Sequence, residues 1–333
     1  LQRCIPLNIS VVGMGRWGSC IAWYCSAVKQ HKVKLYGKPG SPDFIRFKTE
    51  RKNDYLVLPE AIELTDDLEY AVTSSDYIIV SIPAQRFRGF LKELKESRAA
   101  CRRGALSEKT FLLCMKGIEC DTGKRLTQVF YEEMGMNTRV AVWVGPGHVQ
   151  DFYAGRPSCM VIASHQINLT KYLVGELNSS LIRFYYGQDL IGCEIGAAAK
   201  NVMGIAAGML DGIDCPGLKG ALMARGAREV SRLIRAMGGN ELTAYGLSHL
   251  GDYQATLFSE YSQNRLYGEN FIRGIQSAKL AEGVDTSKAM VKLSEDYDVE
   301  LPISRSIYTM LFEGAEPRSV LSSMFDRKNK FEF

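Results

Sequence analysis

The chain is poor in the patterns that hold metals, bridge disulfides or grip nucleic acid. Its 333 residues include four His and no H-x-x-x-H, so no metal-site spacing is present. Nine Cys stand at 4, 20, 25, 101, 114, 120, 159, 193 and 215 with no C-x-x-C pair. An odd, scattered set of this kind indicates free thiols in a reducing compartment. Basic residues exceed acidic ones by only 41 to 37, with no stripe or Arg-rich arm, so nucleic acid is not an expected partner. No run reads as membrane-spanning, because Lys200 and Asn201 interrupt the most apolar one. The segment Leu1-Gln2-Arg3-Cys4-Ile5-Pro6 carries neither an initiator Met nor an apolar signal stretch, and the chain reads as cytoplasmic. Repeats and low-complexity tracts are absent as well.

What is present is an ordinary globular composition, 46% hydrophobic and 23% charged, in a chain long enough for two domains. Asn8-Ile9-Ser10-Val11-Val12 reads as a short strand that runs into Gly13-Met14-Gly15-Arg16-Trp17-Gly18 and then an apolar helix. In a strand–turn–helix of this spacing the first glycine permits the tight turn and the second admits a pyrophosphate close to the backbone. The third lets helix pack on strand, and the helix N-terminus faces the anion. The second strand, Lys32 to Tyr36, ends in Tyr36-Gly37-Lys38 and not in an acidic residue. A cation without a carboxylate suits a 2′-phosphate, so NADP is a candidate beside NAD, with Lys38 either its contact or an ordinary solvated lysine.

The stretch from about 39 to 70 reads as loops and a surface helix. Three near-continuous apolar strands follow: Asp76 to Pro83, Thr110 to Met115, and Val140 to Val144. Their carboxyl ends carry Pro83, Lys116-Gly117 and Gly145-Pro146-Gly147, and such ends converge on one crevice in an open α/β sheet. Two more strand-like runs, Cys159 to Ala163 and Ile182 to Tyr186, precede a helical rear.

That rear opens on the run from Glu194 to Met209, almost all small or apolar, which holds Lys200 and Asn201. A cation among apolar neighbours is costly unless a partner or a substrate anion offsets it, so Lys200 is a candidate for chemistry; the alternative is a lysine that snorkels to water. A helix from Gly220 to Met237 follows, its arginines on a solvated or ion-paired face. Asp252 and Thr256 are spaced for one face of a helix start, where Asp252 could equally be an N-cap. Pro302 and Pro317 sit near later helix starts.

Gly13-Met14-Gly15-Arg16-Trp17-Gly18, Met115-Lys116-Gly117-Ile118-Glu119, Gly145-Pro146, Glu194-Ile195-Gly196-Ala197 through Lys200-Asn201-Val202, Arg225-Gly226, Leu250-Gly251-Asp252 and Asn264-Arg265 stand in one order along nearly the whole chain. In this the chain resembles the NAD(P)-dependent glycerol-3-phosphate dehydrogenases. The resemblance implies an α/β fold with an N-terminal Rossmann-type doubly wound domain, residues 1–193, followed by an all-α domain, residues 194–333. It implies interconversion of dihydroxyacetone phosphate and sn-glycerol 3-phosphate by hydride transfer, with Lys200 as general acid/base. Lys116 would contact substrate and cofactor, while Asn201, Asp252 and Thr256 orient the lysine or the substrate. Gly145, Gly147, Ser262, Gln263 and Asn264 fall at substrate-binding positions. Gly13, Gly15, Arg16, Trp17, Gly18, Lys38, Pro83, Val149, Gln263, Leu280 and Glu282 fall at cofactor-binding ones. A homodimer is implied too, with no metal, membrane or nucleic acid involved.

Two positions depart from the family pattern. Gln263 replaces an Arg, which leaves phosphate contact weaker, supplied by Arg265, or different in kind. His148 in Gly147-His148-Val149 replaces an aromatic residue and reads as a buried, hydrogen-bonded bystander or a new contact. Burial and Lys116 should lower the pKa of Lys200, and Asp252 should oppose that shift. A dehydrogenase for another phosphorylated polyol or hydroxy acid is the alternative within enzymes. A non-catalytic NAD(P)H-sensing regulator is the alternative outside them.

Overall fold

The computed structural model describes residues 5–97, 106–277, 281–329 and 331–332. Strands β1 Asn8–Val12, β2 Lys32–Tyr36, β3 Glu63–Thr65, β4 Tyr77–Val80, β5 Thr110–Leu113, β6 Arg139–Val144, β7 Ser158–Ala163 and β8 Ile182–Gly187 build one sheet. Their order is β3-β2-β1-β4-β5-β6-β7-β8, with β6 and β7 antiparallel and the other neighbours parallel. The first six strands therefore follow the doubly wound order, whose direction of winding reverses between β1 and β4. β3 lies in the stretch read as loops and helix; three residues long and at the sheet edge, it is too short to show a period.

Alternate residues of the inner strands feed two cores. Ile9, Val11, Ile79, Leu112 and Trp143 face one side, and Val12, Ile78, Val80, Phe111, Leu113 and Val142 face the other. The apolar runs are continuous because both faces are covered. Ser10 is a buried polar residue among them, and its hydroxyl donates to the Ala71 carbonyl at 2.6 Å.

Beyond β8 the described elements are helical, arranged around the helix Leu190–Gly212. It begins four residues before Glu194 because the Asp189 carboxylate accepts from Gly192 N–H at 2.9 Å and caps it. At 23 residues this helix is long and apolar enough to cross a membrane, contrary to the reading of the sequence, yet 94% of its most apolar window is buried inside the protein. Lys200 and Asn201 do not interrupt it, since both are buried within the fold. Leu190, Cys193 and Ala197 join the core on one sheet face, whereas Ile195, Val202 and Ile205 join the helical core. Lys200 lies at that seam.

Glycines set how closely the neighbours approach. A Cβ on Gly208 would lie 1.8 Å from the Arg265 carbonyl oxygen, and one on Gly268 2.1 Å from that of Ile205. The helix Gln263–Ile272 therefore crosses the central helix with backbones nearly touching, which brings its first residues against the Lys200 turn. Glu194 fastens the other end: its carboxylate accepts from Thr127 N–H at 2.9 Å and Thr127 Oγ1 at 2.6 Å, and pairs with Arg125. A buried carboxylate is tolerated there because every partner is a donor.

Candidate active site

At the carboxyl ends of β1, β4, β5 and β6 the sheet opens into a cavity of about 360 Å³ that the central helix closes from the far side. The glycine turn forms one wall. Gly13 has φ of +111°, and a Cβ there would lie 2.2 Å from the Ser81 carbonyl oxygen. A Cβ on Gly18 would lie 1.9 Å from the Gly13 oxygen, so the turn and the helix after it pack with no room for a side chain. Gly15 differs, because a Cβ there would meet no atom within 4 Å. Its backbone faces open space in the cavity at the N-terminus of the helix Arg16–Trp23, where a pyrophosphate fits against free N–H groups. Arg16 stands at the edge, its guanidinium donating to Gln150 Oε1 at 2.8 Å and the Tyr261 carbonyl at 3.2 Å.

The opposite wall carries the charges. Asp252 Oδ2 lies 2.8 Å from Lys200 Nζ and 2.8 Å from Lys116 Nζ, so one nearly inaccessible carboxylate holds two ammonium groups. Lys200 also donates to Thr256 Oγ1 at 2.9 Å, and Lys116 donates to the Gly145 carbonyl at 2.7 Å. Asp252 is therefore not an N-cap. It ends a 3₁₀ turn, Leu250–Asp252, and a π-helical turn, Gln254–Phe258, then aims Thr256 at the same amine. Burial pushes the Lys200 amine down to about 8, with Asp252 opposing that and Lys116 reinforcing it. The snorkelling alternative does not hold. Glu282, across the cavity, is raised to about 7 by burial despite the nearby lysines and a bond from the Ala84 backbone.

A chain of amides supports this wall. Asn201 Nδ2 donates to the Lys116 carbonyl at 2.8 Å, Asn264 Nδ2 donates to Asn201 Oδ1 at 3.0 Å, and Gly283 N–H donates to Asn264 Oδ1 at 2.9 Å. Residues read from four distant stretches of sequence are thus tied in series.

Of the residues singled out in the sequence, Gly15, Arg16, Trp17, Pro83, Lys116, Gly147, Val149, Lys200, Asn201, Asp252, Thr256, Ser262, Gln263, Asn264 and Glu282 line the cavity. Gly13, Gly18 and Gly145 lie behind its surface and shape its turns. Lys38 is exposed beyond β2 and does not line it. Leu280 falls outside the described residues.

Two expectations change. Arg265 cannot take the place of an Arg at 263, because its guanidinium turns away to Asp211 at 2.7 Å, Glu269 at 2.9 Å and the Ser259 carbonyl at 3.2 Å. His148 is not a hydrogen-bonded bystander: its Nε2 is buried without a partner, its ring packs edge-on to Tyr261, and it lines the cavity. Burial and the cations Arg16 and Lys200 hold it below the usual His range.

Ser81, Ile82, Cys114, Met115 and Tyr261 also line the cavity and were not singled out. The first four sit at strand ends, where the carboxyl-end rule could have found them. Tyr261 gave no signal. No cluster of three metal-ligating side chains occurs among the described residues, and the seven described cysteines are free.

Comparison with known proteins agrees with this architecture. The sequence model of the NAD-dependent glycerol-3-phosphate dehydrogenase N-terminus matches residues 8–170, and that of the C-terminus matches residues 189–322. Glycerol-3-phosphate dehydrogenase [NAD(P)+] of Chlorobium phaeobacteroides is 34% identical, covering 98% of this chain and 99% of the relative. The protein of the same name from Prosthecochloris aestuarii is 34% identical, over 97% of this chain and 99% of its own. The crystal structure of glycerol-3-phosphate dehydrogenase from Coxiella burnetii shares the fold with a TM-score of 0.87 at 24% identity, over 97% of this chain and 99% of that one. With a glycine cradle that fits a dinucleotide and a paired-lysine wall facing it, the chain belongs to the NAD(P)-dependent glycerol-3-phosphate dehydrogenase family.

Proposed function

We propose that the protein interconverts dihydroxyacetone phosphate and sn-glycerol 3-phosphate, with Lys200 as general acid/base. The observation that carries this is the sharing of Asp252 Oδ2 by two ammonium groups, each 2.8 Å away, in the cavity that the glycine turn also lines. One carboxylate against two cations leaves a net positive charge, which attracts an anionic substrate and stabilises the alkoxide that develops from a ketone.

NAD or NADP, when bound, supplies or accepts the hydride. Gly15, Arg16, Trp17, Pro83, Lys116, Val149, Gln263 and Glu282 line the cavity on which it would rest, with Gly13 and Gly18 shaping the cradle. The chain does the rest. Lys200 Nζ delivers a proton to the carbonyl oxygen in reduction and removes the hydroxyl proton in oxidation. An amine near 8 can do both at neutral pH. Asp252 and Thr256 fix the amine, and Lys116, the Gly147 backbone, Ser262, Gln263 and Asn264 position the substrate. Gly145 acts through its carbonyl, which holds Lys116. Burial of the wall keeps water from competing for the proton.

The same reading assigns residues 1–193 to cofactor binding and 194–333 to substrate and catalysis, in a cytoplasmic homodimer. The seam position of Lys200 supports the division, and the free thiols support a reducing compartment.

A second reading, a dehydrogenase for another phosphorylated polyol or hydroxy acid, is favoured by Gln263 together with the diversion of Arg265. The cations lining the cavity among the described residues are Arg16, Lys116 and Lys200. The test is to follow the nicotinamide absorbance of NADH and NADPH separately with dihydroxyacetone phosphate and with longer ketose phosphates. Turnover of dihydroxyacetone phosphate is expected. Reduction of a longer ketose phosphate alone would establish the second reading.

A further inference from the structure

His249 is completely buried and does not line the cavity, so the mechanism leaves it unused. Its Nδ1 lies 2.8 Å from the Gly196 carbonyl and its Nε2 2.6 Å from the Tyr253 hydroxyl. A carbonyl only accepts, so Nδ1 carries a hydrogen. Burial lowers the ring's pKa to about 4, so at neutral pH the ring is neutral and its Nε2 accepts from the Tyr253 hydroxyl.

What it joins is informative. Gly196 is four residues before Lys200, and in an α-helix its carbonyl receives the Lys200 N–H. The backbone of His249 meanwhile accepts from Asp252 N–H at 3.0 Å. One residue thus grips the turn that presents the amine and the turn that presents its carboxylate. The fit is close, since a Cβ on Gly196 would lie 3.0 Å from that of His249. Tyr253 braces the ring from behind, edge-on at 4.8 Å between centroids.

We propose that His249, braced by Tyr253, is a positioning residue that fixes the Asp252 carboxylate against the Lys200 amine. The inference rests on Lys200 as the acid/base. The charged and titratable groups facing Lys200 are Asp252, Lys116, Glu282, His148 and His249. His249 itself faces Lys200 and Asp252, and Tyr253 faces Glu229. Of these, Asp252 alone is held by His249. Because Asp252 raises the amine's pKa, loosening it lowers that pKa.

The experiment uses the full chain carrying Tyr253→Phe, His249→Asn or His249→Ala. An amine-reactive reagent labels the cofactor-free protein across a pH series, and mass spectrometry reads the extent at Lys200. kcat, KM for NAD(P)H and thermal unfolding are measured alongside. The His249 variants are expected to move the labelling midpoint down by about half to one pH unit. They should lower kcat roughly three- to tenfold, with KM for the nucleotide within about twofold of the parent. Tyr253→Phe should move both in the same direction by less, and it decides the matter if a His249 variant does not fold. Folded variants with reduced thermal stability but an unmoved midpoint and kcat would overturn the proposal. A shifted midpoint with full turnover would uphold the positioning role and overturn Lys200 as the acid/base.

Discussion

The two walls of the cavity are made of different material. The cradle at Gly13, Gly15 and Gly18 is backbone, and its specificity lies in atoms that are missing: two glycines where a Cβ would collide and one where it would fill the space a ligand takes. The opposite wall is side chain, with Lys116, Lys200, Asp252, Thr256, Asn201 and Asn264 contributed by loops and helices far apart in sequence. A backbone wall fails by steric overlap and takes binding with it. A charge wall can lose chemistry while binding and folding persist, because each group acts through electrostatics in a fixed frame.

The sharpest separation of the two walls comes from Lys200→Ala. Turnover is expected to fall by about a thousandfold or more, since both proton transfer and charge stabilisation go. NAD(P)H affinity by fluorescence titration should stay near the parent value. Equal loss of both would erase the distinction between the walls. Gly18→Ala tests the reverse. Its methyl group would lie 1.9 Å from the Gly13 carbonyl oxygen, so nucleotide affinity should drop by about a hundredfold or the front half should lose stability, read by titration and thermal unfolding. Unchanged affinity would show the cradle to be more adaptable than its packing implies.

The smallest effect concerns pH. Reduction needs Lys200 protonated, so its rate should fall as pH rises through about 8, while oxidation rises over the same range. Asp252 raises that pKa, and Asp252→Asn should therefore shift both limbs to lower pH and cost kcat about tenfold. Limbs that stay in place would detach the carboxylate from the amine's ionisation.

The legibility of the two walls differed for the same reason. The strand–glycine–helix unit is local: spacing within Asn8 to Gly18 signals it, and β1 and a helix both formed there, although the helix Arg16–Trp23 starts inside the motif and not after Gly18. The central helix was legible as a run of small residues, but its start at Leu190 depends on Asp189, whose carboxylate also reaches Thr243 at 2.8 Å. Arg265 and His148 show where reading along the chain stops. One sits two residues from Gln263 and points to Asp211; the other sits beside a substrate turn and lacks the hydrogen bond expected of it. Sequence neighbours on a helix N-terminus face different directions, so proximity in number did not give proximity in space.

By itself the sequence determined the apolar inner strands, the glycine turn and the one lysine set in an apolar helix, because each follows from a short-range period or from the cost of burying a lone charge. Tertiary structure alone decided that Lys116 and Lys200 share a single oxygen, that Asn264 reaches Asn201, and that Arg265 leaves the site. Those pairings span from 52 to 136 residues and depend on how closely two helices cross at Gly208 and Gly268. Such closeness is a property of packed surfaces, which no window along the chain contains.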